Sequence, residues 1–332
     1  MKFYKIIFFS TIILGTLIAV SSYSWIRLWI GLEINLLSII PLMKEEINIY
    51  SSEAALKYFL TQTLASRIFL FSLIISLAID EFFPIYPSLI INTALLIKLG
   101  AAPFHSWFPE VMEGLNWNNR IILLTWQKLA PIILIFYSFQ DSLFYLFIIV
   151  RSTIIRGILG LNQISLRKII AYSSINHIRW ILAGILHSQI IWLFYFIIYR
   201  IIRINIIIIL KFNNIFYLRQ LFNSLNSNKL IKFFFILNFL SLGGLPPFLG
   251  FFPKWLVVNH LILNNLYVLR TLIIIFTLIT LYFYLRISFS RLVINTNETT
   301  LIYPVYKNFL ILRFNLISLS GLLTCTLMFN FI

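Results

Sequence analysis

The sequence is poor in charged residues, and above all in acidic ones. Only 11% of its 332 residues are charged, with 10 Asp and Glu against 26 Lys and Arg, whereas 61% are hydrophobic. Soluble domains are about half apolar and a quarter charged, so one water-facing domain cannot accommodate this composition. The apolar runs are about 20 residues long, the length that crosses a bilayer core of roughly 30 Å. Because runs such as RINIIIIL do not alternate polar and apolar residues, they predict helices rather than barrel strands. The sequence therefore predicts an all-α, polytopic transmembrane helix bundle.

Cysteine is almost absent, and the histidines are scattered. The single cysteine, Cys325, excludes disulfides within the chain and an iron–sulfur cluster held by its own cysteines. The four histidines show neither the HxxxH nor the HExxH spacing of a metal site, and no GxGxxG follows a strand. We therefore predict no metal and no cofactor in this chain, so that any electron transfer belongs to partner chains.

The formal charge of +16 has a membrane explanation. Basic residues such as Arg167 and Lys168 fall at segment ends or in short loops, where they set topology and contact phospholipid headgroups. Since no basic cluster stands on a soluble domain, nucleic acid is not an expected partner.

Apolar runs of transmembrane length predict about eleven helices in one integral-membrane domain over residues 1–332. The first run carries the charge of a signal sequence but no small-residue cleavage site, so we interpret it as a retained helix. The predicted spans are about 4–21, 24–43, 56–79, 86–108, 119–139, 142–161, 168–187, 189–210, 231–262, 267–289 and 308–331.

Two of these spans contain helix-breaking residues near their centres. Span 86–108 carries Gly100 and Pro103, and span 231–262, about 48 Å long if straight, carries SLGGLPPFLGFFPKW. Proline removes an amide donor and glycine loosens a turn, so both spans are predicted to be discontinuous helices. The segments LIKLGAAPFHSWFP and LSLGGLPPFLGFFP share a Gly, a Pro-Phe pair and a closing aromatic-Pro. Paired interruptions are typical of inverted-repeat transporters, so we predict a fold of this kind, with repeats at about 50–190 and 190–332.

Four ionisable side chains fall deep inside the apolar segments: Glu33, Lys98, Lys128 and Lys254. Each costs about 2.5 kcal/mol or more at the bilayer centre. Snorkelling to the headgroups would explain Lys254, which lies beside Trp255. It does not explain Lys98 and Lys128, whose side chains would have to reach more than about 10 Å.

We interpret these buried groups as proton-handling residues. Desolvation lowers the proton affinity of a buried lysine, and a neighbouring carboxylate raises it. At a separation of about 6–7 Å, Glu33 and Lys98 would couple by roughly 2.5 kcal/mol at an effective dielectric near 20. His105 and His177 are secondary relay candidates, and a structural role for either is equally consistent with the sequence.

The same segments resemble one family, and the resemblance runs in chain order from about residue 10 to 290. It rests on GLEINLLSIIP (31–41), KLGAAPFHSWFPEVMEGLNW (98–117), WQKLAP (126–131), LNQISLRKIIAYSSINHIRW (161–180) and LNFLSLGGLPPFLGFFPKW (237–255). The sequence is similar to the NADH–ubiquinone oxidoreductase chain 2 family, the mitochondrially encoded, antiporter-like subunit of respiratory complex I, in an insect form.

The resemblance implies a proton-translocating membrane-arm subunit of NADH:ubiquinone reductase in the mitochondrial inner membrane. Its partners would be neighbouring antiporter-like chains, accessory subunits and phospholipids. The residues matching Glu33 and Lys98 would form a coupled pair, Lys128 would lie on a central hydrophilic axis, and Lys254 would end the proton path. One departure is Arg179, where the family usually has a small residue.

Two other functions fit less well. A stand-alone Na⁺/H⁺ antiporter is disfavoured by the lack of a membrane-centre Asp, because hard cations prefer oxygen ligands. A purely structural membrane scaffold would leave the deep charges unexplained.

Overall fold

The structure is a computed structural model, and every regular element in the part of the chain that it describes is an α-helix. The described residues are 3–44, 48–78, 85–139, 142–160, 162–186, 189–218, 220–221, 229–246, 248–293 and 315–316. Within these ranges, seven helical segments are long and apolar enough to cross a membrane, and one of them, Trp117–Tyr137, consists of two consecutive short helices. The predicted all-α membrane fold is therefore confirmed.

The chain divides into two compact units, Met1–Ile148 and Ile149–Ile332. The first seven helices are α1 Phe3–Ser21, α2 Trp25–Met43, α3 Ile49–Ala78, α4 Ile85–Leu99, α5 Trp107–Gly114, α6 Trp117–Thr125 and α7 Leu129–Tyr137. The remaining helices are α8 Ser142–Leu159, α9 Leu166–Ile185, α10 Gln189–Phe212, α11 Lys229–Gly243, α12 Phe251–Leu263 and α13 Tyr267–Val293. The predicted span at 308–331 lies outside the described residues except for 315–316. The single domain and its repeat limits stay predictions.

Both predicted interruptions are present, and they have the same local geometry. α4 is followed by Gly100 at φ +69°, and α11 is followed by Gly244 at φ +81°. In each case the N–H groups of the glycine and of the next residue donate to carbonyls of the helix's last turn. This is a Schellman cap, and its left-handed residue favours glycine. Helical structure resumes seven residues later in both places, at Trp107 and at Phe251.

A third interruption, not predicted from the sequence, lies within the predicted span 119–139, which is confirmed as the span-length segment Trp117–Tyr137. The N–H groups of Trp126 and Gln127 both donate to the carbonyl of Ile122, at 2.8 and 3.1 Å, and α7 begins only at Leu129. The physical reason is Pro131. It offers no N–H to the carbonyl of Gln127, and its ring crowds the carbonyl four residues earlier. This widened turn contains Lys128.

Close packing of α1 on α2 positions the helix that carries Glu33. A Cβ atom added to Gly31 would lie 2.6 Å from the backbone nitrogen of Ala19, inside van der Waals contact. Small residues at such contacts let two membrane helices approach to backbone distance, which replaces the missing hydrophobic driving force between helices in lipid.

The substitution Gly31→Ala is therefore expected to push α1 away from α2 and to destabilise the chain by about 1–3 kcal/mol. Denaturant unfolding of the detergent-solubilised protein measures the change. Gly184→Ala is the matched control, because its Cβ would lie 3.4 Å from Trp192, an ordinary contact distance. Equal unfolding midpoints for the two variants would contradict the close α1–α2 contact.

Candidate proton-relay site

Glu33 and Lys98 form the central charge pair of the first unit. Lys98 Nζ lies 4.0 Å from Glu33 Oε1, and the two side chains are only 4% and 21% exposed. Among the described residues Oε1 accepts no hydrogen bond, so the charges attract each other without a direct bond. At this distance the attraction is about 4 kcal/mol at an effective dielectric near 20. The two charges are therefore closer than the separation of about 6–7 Å considered for them above, and their part in proton transfer stays a prediction.

A small polar cavity adjoins Lys98. Its lining includes Asn35, Gln62 and Gln127, and its volume is about 20 Å³, which is room for about one water molecule. Gln62 Nε2 contacts the carbonyl oxygen of Lys98 at 3.5 Å, and Gln127 Nε2 donates to Asn35 Oδ1 at 2.7 Å. Sequence reasoning missed these three amides. Two of them could have been found from the sequence, because Asn35 and Gln127 are polar residues in the middle of apolar spans. Asn35 follows Glu33 by two residues, and Gln127 directly precedes Lys128.

Lys128 is buried in the third interruption. Its side chain lies over an aromatic ring, with Nζ 5.0 Å from the centroid of Phe108, and the residue is 2% exposed. An ammonium above a ring face is stabilised by the ring quadrupole. Phe108 belongs to α5, so the segment that restarts after Gly100 packs beside the break that contains Lys128.

Lys254 belongs to the second unit, and snorkelling does not explain it. The residue is buried, and Nζ donates to the carbonyl oxygens of Leu242 and Gly243, both at 2.8 Å. These carbonyls end α11, where unsatisfied acceptors and the helix dipole both favour a cation. Gly244 makes the contact possible, because a Cβ there would lie 2.8 Å from Lys254 Nζ.

The two histidines have different surroundings. His105 Nδ1 lies 3.2 Å from the carbonyl oxygen of Pro103, which matches the structural alternative in which a freed carbonyl holds the ring. His177 is buried, and its Nδ1 lies 2.8 Å from the hydroxyl of Tyr195. Arg179 is fully buried, with its guanidinium 5.5 Å from the Trp180 ring centroid, so it does not reach towards headgroups.

The structure thus groups most of the predicted residues within their own units. In the first unit Glu33 pairs with Lys98, and Lys128 lies over the Phe108 ring. In the second unit Lys254 lies over Trp180, on the same helix as His177. Within the described ranges, no three His, Cys, Asp or Glu residues are close enough to hold a metal ion. The arrangement provides titratable groups and hydrogen-bond partners, which suits proton transfer.

The chain matches the family model described as NADH:quinone oxidoreductase/Mrp antiporter, transmembrane, over residues 22–280. It is 50% identical to NADH-ubiquinone oxidoreductase chain 2 of Aedes aegypti and 46% identical to that of Anopheles gambiae. Each comparison covers 97% of both chains. The chain belongs to this family. The insect resemblance inferred from the motifs is confirmed.

Solved structures show the same fold at lower identity. A chain of respiratory complex I from Thermus thermophilus superposes with a TM-score of 0.86 at 21% identity, over 96% of this chain and 78% of that one. A chain of the Mrp complex from Dietzia gives 0.72 at 16% identity, over 83% and 58%. The antiporter-like fold that the family resemblance implies is therefore confirmed.

Replacing Gly244 tests the geometry around Lys254. The substitution Gly244→Ala places a methyl group on the ammonium and in a left-handed backbone conformation, which alone costs about 1–2 kcal/mol. We expect a lower thermal unfolding midpoint for the detergent-solubilised protein. Gly243→Ala is the matched control, because its Cβ would meet Leu281 and Tyr284 at 3.7 Å. A midpoint as high in Gly244→Ala as in Gly243→Ala would refute the contact.

Proposed function

We propose that the chain is a proton-translocating subunit in the membrane arm of mitochondrial respiratory complex I. In this role it couples NADH-to-ubiquinone electron transfer in partner subunits to proton movement through its own buried residues. The membership of the chain 2 family supports the assignment, and the Glu33–Lys98 pair is the observation that carries the mechanism. Neighbouring antiporter-like chains, accessory subunits and inner-membrane phospholipids are its proposed partners, and we assign no cofactor to it.

The first step of the proposed relay is a change in the Glu33–Lys98 separation. At 4.0 Å the carboxylate holds the ammonium in its charged form. Doubling the distance would reduce the attraction from about 4 to about 2 kcal/mol. We propose that movement of α2 relative to α4 weakens this attraction and so lets Lys98 release its proton.

The second step passes the released proton towards Lys128. The cavity beside Lys98 has room for a water molecule and is lined by Gln127, the residue before Lys128. A water there can accept the proton from the Lys98 ammonium, and we propose that a proton then passes beyond Gln127 to the Lys128 amine, so that Lys98 ends neutral and Lys128 charged. In the second unit, we propose that His177 accepts a proton and that Lys254 is the last residue to release one.

Neutralising the acid is the most direct test of the first step. The substitution Glu33→Gln keeps the size of the side chain and removes the attraction, so we expect assembly to be preserved and the pumping rate to fall by about tenfold or more. Proton uptake by liposomes containing the intact complex measures this. Glu110→Gln is the control, because Glu110 is an exposed partner of Lys57 at 2.8 Å. Equal pumping in both variants would exclude Glu33 from the relay.

Removing the amines tests the second step. Lys98→Met and Lys128→Met are expected to leave assembly intact and to abolish proton-coupled quinone reduction, because an apolar chain of similar length carries no proton. Lys211→Met, at an exposed position near the end of α10, is the control. Unchanged turnover and pumping in the two buried variants would reject the relay, and transport that required Na⁺ would favour cation antiport.

A further inference from the structure

Tyr195, on α10, contacts His177, one of the two candidate relay residues of the second unit. Its hydroxyl oxygen is 2.8 Å from His177 Nδ1, and the residue is 2% exposed. Its ring is stacked on Trp180, with the centroids 6.4 Å apart and the planes at 14°. Lys254 Nζ lies 6.0 Å from the centroid of that same Trp180 ring. One tyrosine therefore contacts the histidine through its hydroxyl and the lysine's aromatic neighbour through its ring.

The position of the hydroxyl is well defined. Stacking on Trp180 restricts the tyrosine ring, and Tyr199, one turn further along α10, places its own ring 4.8 Å from the His177 ring. A phenol hydroxyl can both donate and accept a hydrogen bond, so it can serve an imidazole in its neutral and in its protonated form. Which nitrogen of a histidine carries the proton is set by the partner of the other nitrogen.

We infer that Tyr195 is a positioning residue for proton transfer in the second unit, which fixes the orientation and tautomer of His177 beside the Trp180–Lys254 contact. This inference rests on the relay role proposed above for His177 and Lys254. Neither the motifs nor the family assignment singles out Tyr195. Its role follows from the hydrogen bond to Nδ1 and from the stacking that holds the hydroxyl in place.

Several charged and titratable groups surround this hydroxyl. Besides His177 they come from α9, α10 and α13, and they are Arg179, Tyr199, Arg203 and Tyr284, while Lys254 of α12 lies over the ring of Trp180. Arg179 and Arg203 carry positive charge and cannot accept a hydrogen bond. A protonated His177 therefore depends on the Tyr195 hydroxyl oxygen as its hydrogen-bond acceptor. A charge-assisted hydrogen bond is about twice as strong as a neutral one. Loss of the hydroxyl therefore disfavours the imidazolium more than the neutral ring.

The test is Tyr195→Phe in the intact complex, which removes one oxygen and keeps the stacked ring. We expect proton pumping to fall by about fivefold, the usual effect of one lost hydrogen bond. We also expect the pH profile of pumping to move to lower pH, while the KM for quinone stays unchanged. Tyr145→Phe is the matched control, since Tyr145 is a fully buried tyrosine of the first unit whose ring is stacked on Phe139. It should move neither the rate nor the profile.

A double substitution separates this inference from the proposed function. If Tyr195 acts through His177, then Tyr195→Phe adds no further loss to His177→Ala, whereas independent roles would give additive losses. If His177→Ala leaves pumping unchanged, the relay role of His177 itself has failed. If His177→Ala lowers pumping and Tyr195→Phe leaves both rate and profile unchanged, the relay role stands and the inference about Tyr195 is overturned.

A second variant covers the case in which Tyr195→Phe impairs assembly. Trp180→Phe keeps the hydroxyl but reduces the surface on which Tyr195 stacks. We expect a smaller loss of pumping with a shift of the pH profile in the same direction. A Trp180→Phe complex whose pH profile matches that of the unmodified complex would contradict the positioning role.

Discussion

An ammonium group inside a bilayer needs oxygen atoms as hydrogen-bond acceptors, and the carbonyls of an unbroken helix are not free to accept. All the carbonyls of a continuous helix are bonded to its own amides, so a buried cation requires either a carboxylate or a place where the helix ends. Lys254 uses the second solution, with two carbonyl oxygens of α11 at 2.8 Å. Lys98, in the last turn of α4, has Glu33 at 4.0 Å. The interruptions and the buried lysines thus depend on each other.

Each of the two glycine-capped interruptions has a buried lysine at its helix end, but the lysine comes from a different position in the two. Counting from Gly100 and Gly244, Lys98 occupies the place of Leu242, and Glu110 occupies the place of Lys254. In the second unit a lysine beyond the break therefore reaches back to the helix end. In the first unit the corresponding residue is the acidic Glu110, and the carbonyls at the end of α4 would repel its carboxylate. Glu110 instead lies at the surface and pairs with Lys57, and the cation comes from the helix itself.

The sequence predicts the features that follow from a strong local cause. The glycines and prolines predict the breaks at Gly100 and after Gly243. A charged residue within an apolar run predicts each buried lysine. The break at Lys128 was missed because its cause, Pro131, acts on a carbonyl four residues earlier, while the widened turn itself contains neither glycine nor proline.

Partners from distant helices could not be predicted in this way. The Asn35–Gln127 bond joins residues 92 positions apart, and the His177–Tyr195 bond crosses from α9 to α10. Such pairs depend on how helices rotate against each other, and apolar periodicity leaves that rotation undetermined in spans that are apolar on most faces. The same limit applies to Lys254, whose carbonyl partners become apparent only once the path of the chain after Gly244 is known.

The small size of the cavity beside Lys98 matters as much as the charges around it. With about 20 Å³ it has room for about one water molecule rather than a continuous column, so a proton cannot pass without a donor and an acceptor at its walls. Gln127, bonded to Asn35, ties the break that contains Lys128 to the helix that carries Glu33. A displacement of α2 that separated Glu33 from Lys98 would therefore also move Gln127, the residue before Lys128. In the proposed relay, this amide pair would link proton release from Lys98 to proton uptake by Lys128, so that protons would move in single steps.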